Sequence, residues 1–232
     1  MPRGLGRLSK RPVVAIDGPA GAGKSTVARA VAERLGCLYL DSGAMYRAVA
    51  LAALRSGTGL DDPAGLAALA VRADVTLRPG QGSVSRVLLG GEDVTGAVRT
   101  PEVEEAVPRV AGVPGVRAVL IAAQRRLAEA GGVVMDGRDI GRVVLPHADC
   151  KVYLTADLGV RVRRRYLQLR QQGRPADLEE VGADLARRDR WDHARMARAP
   201  DAVEIDTTDL DVEQTVARIL ALCPGGARRA GN

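Results

Sequence analysis

The stretch Gly18-Pro19-Ala20-Gly21-Ala22-Gly23-Lys24-Ser25 sets the architecture of this chain, because it fits the phosphate-binding pattern G-x-x-x-x-G-K-[ST]. The β-branched run at residues 12–17 predicts a buried strand before it. Apolar residues at helical spacing over residues 26–35 predict a helix after it, with Gly36 as its stop. In such a strand–loop–helix unit the backbone N–H groups and the helix N-terminus face phosphate oxygens. The pattern therefore predicts a nucleotide site over Gly18 to Thr26, in which Lys24 reaches the β- and γ-phosphates and the Ser25 hydroxyl binds Mg²⁺.

The alternative is a glycine-rich turn that carries a lysine by chance. Lysine occurs only at Lys10, Lys24 and Lys151, and every other basic residue is arginine. In a chain so biased towards arginine, a lysine inside this pattern is not expected by accident, because the site needs a compact ammonium group on a flexible stem. The flanking strand and helix also favour the phosphate-binding interpretation.

Length and composition limit the possible classes of protein. The 232 residues can form one domain with an insertion, or two small domains, around a core of Val, Leu, Ile and Ala, since phenylalanine is absent. The net charge of +6 favours an anionic partner, either nucleic acid or a small phosphorylated ligand. The cysteines, Cys37, Cys150 and Cys223, form no C-x-x-C pair, so we expect free buried thiols in a reducing, cytoplasmic compartment. No apolar run suits a signal peptide or a membrane span, and residues 1–11 and 223–232 are expected to be flexible tails.

Further short apolar runs predict strands that alternate with helices, and they lie at residues 38–41, 133–136, 150–155 and 202–207. The last predicted helix covers about 212–222. Together with the first strand, these runs predict an α/β fold with a five-stranded parallel sheet and helices on both faces. Ligands of such sheets bind at the carboxyl ends of the strands. The predicted core covers residues 12–60 and 132–222.

Residues 61–131 interrupt this alternation and are predicted to form an inserted domain. An alanine-rich helix is expected over residues 61–73, followed by a small antiparallel group of strands at 74–77, 83–89 and around 93–94. Thr100-Pro101-Glu102 predicts a helix start. Pro108 and Pro114 are expected to break the chain that follows, before a longer helix over residues 116–130.

Two strand ends carry candidate site residues. The strand at 133–136 ends in Asp136, as in the Walker B arrangement, where a carboxylate holds Mg²⁺ or its waters. After the strand at 38–41, Ser42 opens a helix in which Tyr46 and Arg47 lie one turn further on. The functional interpretation has these side chains face a ligand. The other interpretation, which helix physics alone favours, has Ser42 cap the helix.

An arginine-rich arm at about residues 157–195 separates the last two strands. Two groups of its side chains each share one helix face, Arg161 with Arg164 and Arg165, and Arg188 with Asp192 and Arg195. One interpretation is a solvated face held by Asp–Arg pairs worth roughly a few tenths of a kcal/mol each. The other is a mobile lid that brings guanidinium groups onto transferring phosphates. The only histidines, His147 and His193, have no companions at metal-ligand spacing and are assigned no chemistry.

Taken together, the motifs resemble the bacterial cytidylate kinases, the (d)CMP kinases among the P-loop nucleoside-monophosphate kinases. The motifs are the loop at 18–25, residues 40–47, 99–103, 113–117 and 136–141, and the pattern Arg188-Asp189-x-x-Asp192-x-x-Arg195. They follow the order and spacing of the family over nearly the whole chain, from about residue 12 to residue 222. The resemblance implies a P-loop kinase fold with an inserted monophosphate-binding domain and an arginine-rich lid. It also implies the reaction ATP + (d)CMP → ADP + (d)CDP with Mg²⁺.

The resemblance further implies roles for individual residues. The loop holds ATP. A catalytic set acts on the transferring phosphoryl group, and it consists of Lys24, Arg138, Arg161, Arg165 and Arg195. Those implied positions are Arg161 and Arg165 as lid arginines, Arg47, Arg138 and Arg195 at the CMP phosphate, Arg188 and Asp192 at the ribose, Arg117 and Asp139 at cytosine, and Ser42 and Tyr46 along the pocket. The chemistry agrees, because a carboxylate can accept from the cytosine 4-amino group that uracil lacks. No general base is required, since a phosphate monoester with a second pKa of about 6 is largely a dianion at pH 7.

The chain departs from the family pattern in two places. Residues 157–160 read Asp-Leu-Gly-Val where the family has a Ser-x-Glu-type start to the lid helix. Pro108 stands where the family aims a hydroxyl at the base, and no Ser or Thr lies between Pro101 and Arg117 to replace it. Either water fills that gap, or Arg117 and Asp139 read the base alone.

Other functions are weighed on specific features. A P-loop GTPase needs an Asn-Lys-x-Asp guanine reader, and the only asparagine is Asn232. A nucleic-acid-binding ATPase would suit the basic charge, but aromatic residues for base stacking are few. A kinase of UMP, AMP or shikimate remains the nearest alternative. We expect small-molecule partners, no nucleic acid, no membrane, and a monomer.

Overall fold

The computed structural model describes residues 11–80, 85–193 and 196–224. The strands in this part of the chain are β1 (Val13–Asp17), β2 (Leu38–Asp41), β3 (Val75–Pro79), β4 (Ser85–Leu89), β5 (Glu92–Asp93), β6 (Val133–Asp136), β7 (Cys150–Thr155) and β8 (Val203–Asp206). The α-helices are α1 (Lys24–Leu35), α2 (Ser42–Ser56), α3 (Pro63–Arg72), α4 (Pro101–Gly112), α5 (Pro114–Ala128), α6 (Leu158–Gln171), α7 (Leu178–Asp192) and α8 (Val212–Leu222). A 3₁₀ turn covers Ala97–Arg99, and a π-helical turn covers Ile140–Val144.

Five strands form one parallel sheet in the order β2-β6-β1-β7-β8, which confirms the fold class predicted from the sequence. β1 lies at its centre, between β6 and β7. The carboxyl ends of β1, β2 and β6 therefore lie side by side, with Ile16 opposite Asp136 and Asp41 also opposite Asp136. This edge is where the polar strand ends meet.

Successive residues of β1 enter different hydrophobic clusters, because side chains alternate across a sheet. Val14 and Ile16 pack on one face with apolar residues of α1 and α8. Ala15 packs on the opposite face with Leu40 and Met45, in a cluster that also takes in α3, α4 and α5. Helices thus cover both faces of the sheet, as the alternation of elements predicted.

The region between β2 and β6 contains the predicted antiparallel sheet, in the order β3-β4-β5. Apolar residues of this region pack in the same hydrophobic cluster as one face of the parallel sheet. Because the two regions share this core, the boundary of an inserted domain at residue 61 stays a prediction. The expected break at Pro108 is wrong, because α4 runs through it. Pro108 lies beyond the first four positions of α4, where a missing N–H costs no hydrogen bond, so the helix loses one backbone hydrogen bond there. The packing of the buried Val103, Ala106 and Val110 stabilises the helix in spite of this loss.

The arm between β7 and β8 is the helix pair α6 and α7, joined around the predicted break at Gly173. Leu169, Val181 and Leu185 form a small core that also contacts Ala20 of the phosphate-binding loop. Some predicted features lie outside the described residues. They are Arg195, residues 83–84 of the predicted strand at 83–89, and most of both predicted tails.

Cys37, Cys150 and Cys223 form no disulfide, as expected, although only Cys150 and Cys223 are buried and Cys37 is half-buried. No described helix is by itself long and apolar enough to cross a membrane. Among the described helices, the pair α4 and α5 reaches the required length and apolar composition only when the two are taken together, and they meet at an angle of 97°.

Candidate active site

The glycine loop between β1 and α1 has the backbone that phosphate binding requires. Gly18 and Gly21 have positive φ values of 143° and 79°, a region that L side chains rarely adopt. A Cβ at Gly18 would also overlap the carbonyl oxygen of Leu154, and one at Gly21 would lie 2.9 Å from Cβ of Arg161. The loop is therefore held closely between β7 and α6, and only glycine fits these two positions.

Lys24 is buried at the start of α1, and its Nζ donates to the carbonyl oxygen of Pro19 at 2.7 Å. Burial lowers the pKa of Lys24 to about 7, and the nearby Arg138 guanidinium acts in the same direction. Asp136 and Asp17 oppose that shift. An anion bound beside the Lys24 amine would therefore raise its pKa and favour its positively charged form.

Ser25 and Asp136 form a polar pair beside Lys24. The Ser25 hydroxyl donates to Oδ2 of Asp136 at 2.7 Å, and the buried Tyr39 hydroxyl donates to Oδ1 at 2.9 Å. Burial raises the pKa of Asp136, as does the neighbouring Asp41. A hydroxyl and a carboxylate at this spacing are hard oxygen donors of the kind that Mg²⁺ prefers.

A cavity of about 300 Å³ opens from this pair towards α2, α4, α5 and the arm. It brings together all the predicted substrate-binding residues that the structure describes, namely Ser42, Tyr46, Arg47, Arg117, Arg138, Asp139, Arg188 and Asp192. Lys24, Ser25, Thr26 and Asp136 line the same cavity. Arg195 lies outside the described residues, so its place in the cavity stays a prediction.

At one end of the cavity, Arg117 and Asp139 form a largely buried ion pair between Nη2 and Oδ2. Arg117 also donates from Nη1 to the Tyr46 hydroxyl at 3.4 Å. Ser42 is not the helix cap, because Asp41 caps α2 by accepting from the Ala44 N–H. The Ser42 hydroxyl instead donates to the carbonyl oxygen of Asp136 at 2.6 Å, which ties α2 to the end of β6.

Two arginines nearer the loop are each oriented by an aspartate. Arg47 donates from Nη2 to Asp41 at 2.7 Å, and its buried Nε has no hydrogen-bond partner among the described residues. Burial alone would raise the pKa of Asp41, but Arg47 and Arg99 hold it below its usual value. Arg138 donates from Nε to Oδ2 of Asp192 at 2.8 Å. These pairs leave other guanidinium N–H groups for an anion.

The predicted lid arginines separate into two environments. Arg165 lines the cavity, whereas Arg161 is not among its lining residues. The buried Arg161 donates to the carbonyl oxygens of Ala156 and Ala20, both at 3.1 Å, and forms an ion pair with Asp189 at 2.8 Å. Arg161 therefore ties α6 and α7 to the phosphate-binding loop, and its predicted contact with phosphate stays a prediction.

A second cavity, of about 530 Å³, lies on the other side of the loop, between α6 and the start of α8. Lys24, Ser25, Thr26 and Arg165 line both cavities. Gly21 and Gln168 also line both cavities, and the remaining wall of the second cavity includes Arg164, Leu210 and Thr215. Ligands in the two cavities would thus meet at the start of α1.

Several residues that build the site were missed by sequence reasoning. Asp17 ends β1, and its carboxylate accepts from the N–H groups of Ile140 and Gly141, both at 2.8 Å. Burial raises the pKa of Asp17 to about 6. Asp17 and Asp41 carry the same signal as Asp136, an aspartate at the end of an apolar strand, and could have been found by it. Tyr39 and Glu104 carry no such signal.

A parallel sheet, a glycine loop with a buried lysine and two cavities that meet there define a P-loop phosphotransferase for two ligands. The family model described as cytidylate kinase matches residues 14–224. The cytidylate kinase of Symbiobacterium thermophilum is 54% identical over 215 residues, covering 91% of this chain and 95% of that protein. The chain belongs to the cytidylate kinase family, whose members are ATP-dependent nucleoside-monophosphate kinases.

One further relative agrees with this assignment, and one solved structure shares the fold. A bifunctional pantoate ligase/cytidylate kinase from Synechococcus sp. (strain JA-2-3B'a(2-13)) is 48% identical over 228 residues, covering 96% of this chain but 42% of that protein. A crystal structure of shikimate kinase from Bacteroides thetaiotaomicron has a TM-score of 0.50 at 16% identity, covering 91% of this chain and 97% of that chain. The second comparison is a likeness of fold alone.

Proposed function

We propose that this member of the cytidylate kinase family transfers the γ-phosphoryl group of ATP to CMP and dCMP, with the two nucleotides in the two cavities that meet at Lys24. The observation that carries this proposal is the shared wall of Lys24, Ser25, Thr26 and Arg165. A phosphoryl group can pass between two ligands without release only where both approach the same cationic groups.

ATP would be held by the loop and by the second cavity. The N–H groups of residues 18–26 and the N-terminus of α1 would bind its phosphates. Lys24 would exchange its contact with the Pro19 carbonyl for phosphate oxygens, and a neighbouring polyanion would restore its charge. The remaining nucleoside would lie in the second cavity, between α6 and the start of α8.

CMP would lie in the first cavity with its base at the Arg117–Asp139 pair. Asp139 would accept from the 4-amino group of cytosine, and Arg117 would donate to O2 and N3. Arg47 and Arg138 would bind the monophosphate, together with Arg195 if its position matches the family pattern. The ribose would contact Arg188 and Asp192, the polar side chains of α7 that line this cavity.

Mg²⁺ fits the oxygen donors of Ser25 and Asp136, which lie 2.7 Å apart next to the loop. Magnesium at nucleotide sites uses one or two protein oxygens and takes its other ligands from phosphates and water. When bound, the ion supplies positive charge to the transferring phosphoryl oxygens. Tyr39 would orient Asp136 through its hydrogen bond to the other carboxylate oxygen.

The residues of this chain would act by alignment and charge neutralisation. The CMP phosphate is largely a dianion at pH 7 and needs no general base to attack. Lys24 and Arg165 would neutralise charge on the transferring group, and Arg138 would hold the acceptor in line with it. We further propose that the protein acts as a monomer with small-molecule partners only. We also propose that it is cytoplasmic, because reduced thiols suit that compartment.

The proposal is tested by Lys24→Met. Turnover of CMP, followed by coupled ADP release, should fall by more than 100-fold, whereas the Kd for CMP measured by calorimetry should change less than twofold (about 0.4 kcal/mol). Lys151→Met is the matched control, because that lysine lines neither cavity. Turnover within tenfold of the unaltered protein would remove Lys24 from the mechanism.

A further inference from the structure

Glu104, in the first turn of α4, joins the inserted region to the arm through ion pairs with three arginines. Its carboxylate accepts from Nη2 of Arg165 at 2.9 Å and 3.3 Å, and from Nη2 of Arg188 at 3.3 Å. Nη1 of Arg174, in the turn between α6 and α7, lies 3.5 Å away. One carboxylate thus contacts both helices of the arm and the turn that joins them.

These ion pairs are better shielded than ordinary surface pairs. The side chains of Glu104 and Arg165 are 19% and 20% exposed, and those of Arg188 and Arg174 are 26% and 30% exposed. Burial alone would raise the pKa of Glu104, but the three guanidinium groups hold it below its usual value. The carboxylate is therefore charged at neutral pH and strongly attached to the arm.

Glu104 contacts the same groups that a nucleotide needs. Glu104, Arg165 and Arg188 line the cavity that Lys24 and Arg47 also line. An N–H group that donates to a carboxylate cannot at the same time donate fully to a phosphoryl oxygen. A carboxylate next to a bound phosphate would also be repelled by it. A nucleotide that bound these arginines through the same Nη2 groups would therefore compete with Glu104 for them.

We infer that Glu104 is a positioning residue that holds the arm against α4 and, when nucleotide binds, releases Arg165 to phosphoryl oxygens and Arg188 to the ribose. This inference rests on the proposed contact of these two arginines with the nucleotides. Glu104 acts as an internal competitor, so each binding event replaces carboxylate contacts by nucleotide contacts. The same exchange in reverse helps product to leave.

The test compares Glu104→Gln with Glu105→Gln, its neighbour on the same helix, which is exposed and lines neither cavity. Loss of the competing charge should lower the Kd for ATP about 3- to 10-fold by calorimetry, whereas Glu105→Gln should leave it unchanged. Trp191, the only tryptophan, lies on α7 and lines the cavity. Without nucleotide, its emission should shift to longer wavelength in Glu104→Gln as the arm opens.

A structural role alone would lower the melting temperature and leave both the Kd for ATP and the Trp191 emission unchanged, which would overturn the inference. Weaker ATP binding in Glu104→Gln would also overturn it, because Glu104 would then support the nucleotide contacts. Glu104→Asp keeps the charge on a shorter side chain and should restore part of the wild-type Kd, even if the glutamine variant folds poorly. CMP turnover by the unaltered protein tests the proposed function separately.

Discussion

Replacing Asp139 by asparagine should weaken the preference of the enzyme for cytosine over uracil. The Asp139 side chain is 10% exposed and pairs with Arg117, which is 19% exposed, so both groups act in a largely dry environment. A hydrogen bond to a charged group contributes about 1.5–3 kcal/mol, which corresponds to about 10- to 150-fold in kcat/KM. CMP should lose this contribution, because the amide of asparagine is a poorer acceptor for the 4-amino group.

UMP provides the internal comparison for this variant. Its carbonyl oxygen at position 4 can accept from the new amide nitrogen, so UMP should lose much less. Loss of the counter-charge to Arg117 affects both substrates and cancels in their ratio. The ratio of kcat/KM for CMP to that for UMP should therefore fall by about tenfold or more. The control Asp61→Asn alters an exposed carboxylate paired with Arg109 and should leave the ratio unchanged. Equal losses for both substrates would show that Asp139 acts only through Arg117.

Three other predictions follow from the described contacts. With a pKa of about 7, Lys24 is mostly neutral at pH 8, and nearby phosphates should raise that pKa, so ATP binding should take up nearly one proton at pH 8. Binding heats that do not depend on the ionisation enthalpy of the buffer would contradict this. Arg161→Ala should lower the free energy of unfolding by about 2–4 kcal/mol in chemical denaturation, because Asp189 loses a buried partner. Unchanged stability with a lower kcat would instead indicate a direct contact with phosphate. Pro108→Ser should raise the melting temperature, since serine restores a helical N–H inside α4, and should tighten CMP binding about 2- to 12-fold if its hydroxyl reaches the base. A lower melting temperature would refute the first part, and an unchanged Kd the second.

The elements that local signals specify were predicted well from the sequence. The helix at Val212–Leu222 and the strand at Cys150–Thr155 have the predicted bounds, because apolar periodicity and flanking turns define both. The strand at Val133–Asp136 also has the predicted bounds, and Asp136 at its end accepts a hydrogen bond from Ser25 of the loop. Pro108 shows the limit of such signals, since tertiary packing of α4 outweighs the local preference of proline.

Contacts between distant segments could not be predicted in this way. Glu104 meets Arg165 across 61 positions of sequence and Arg188 across 84, and nothing in the local pattern of α4 indicates either partner. Arg161 and Arg165 share a predicted helix face, yet one is buried against the loop and the other lines the cavity. The small core of the arm packs against Ala20 and thereby sets the orientation of α6 about its own axis. This orientation decides which arginine of α6 contacts the loop and which one lines the cavity.

The most direct test is the rate of ADP release by the purified chain with ATP, Mg²⁺ and one acceptor at a time. CMP and dCMP should give the highest kcat/KM, because Asp139 can accept from their 4-amino group and the arginines of the first cavity suit a nucleoside monophosphate. UMP should follow at least about tenfold lower, and AMP and shikimate lower still. A kcat/KM for UMP, AMP or shikimate that equals or exceeds that for CMP would contradict the assignment of the first cavity to cytidine monophosphates.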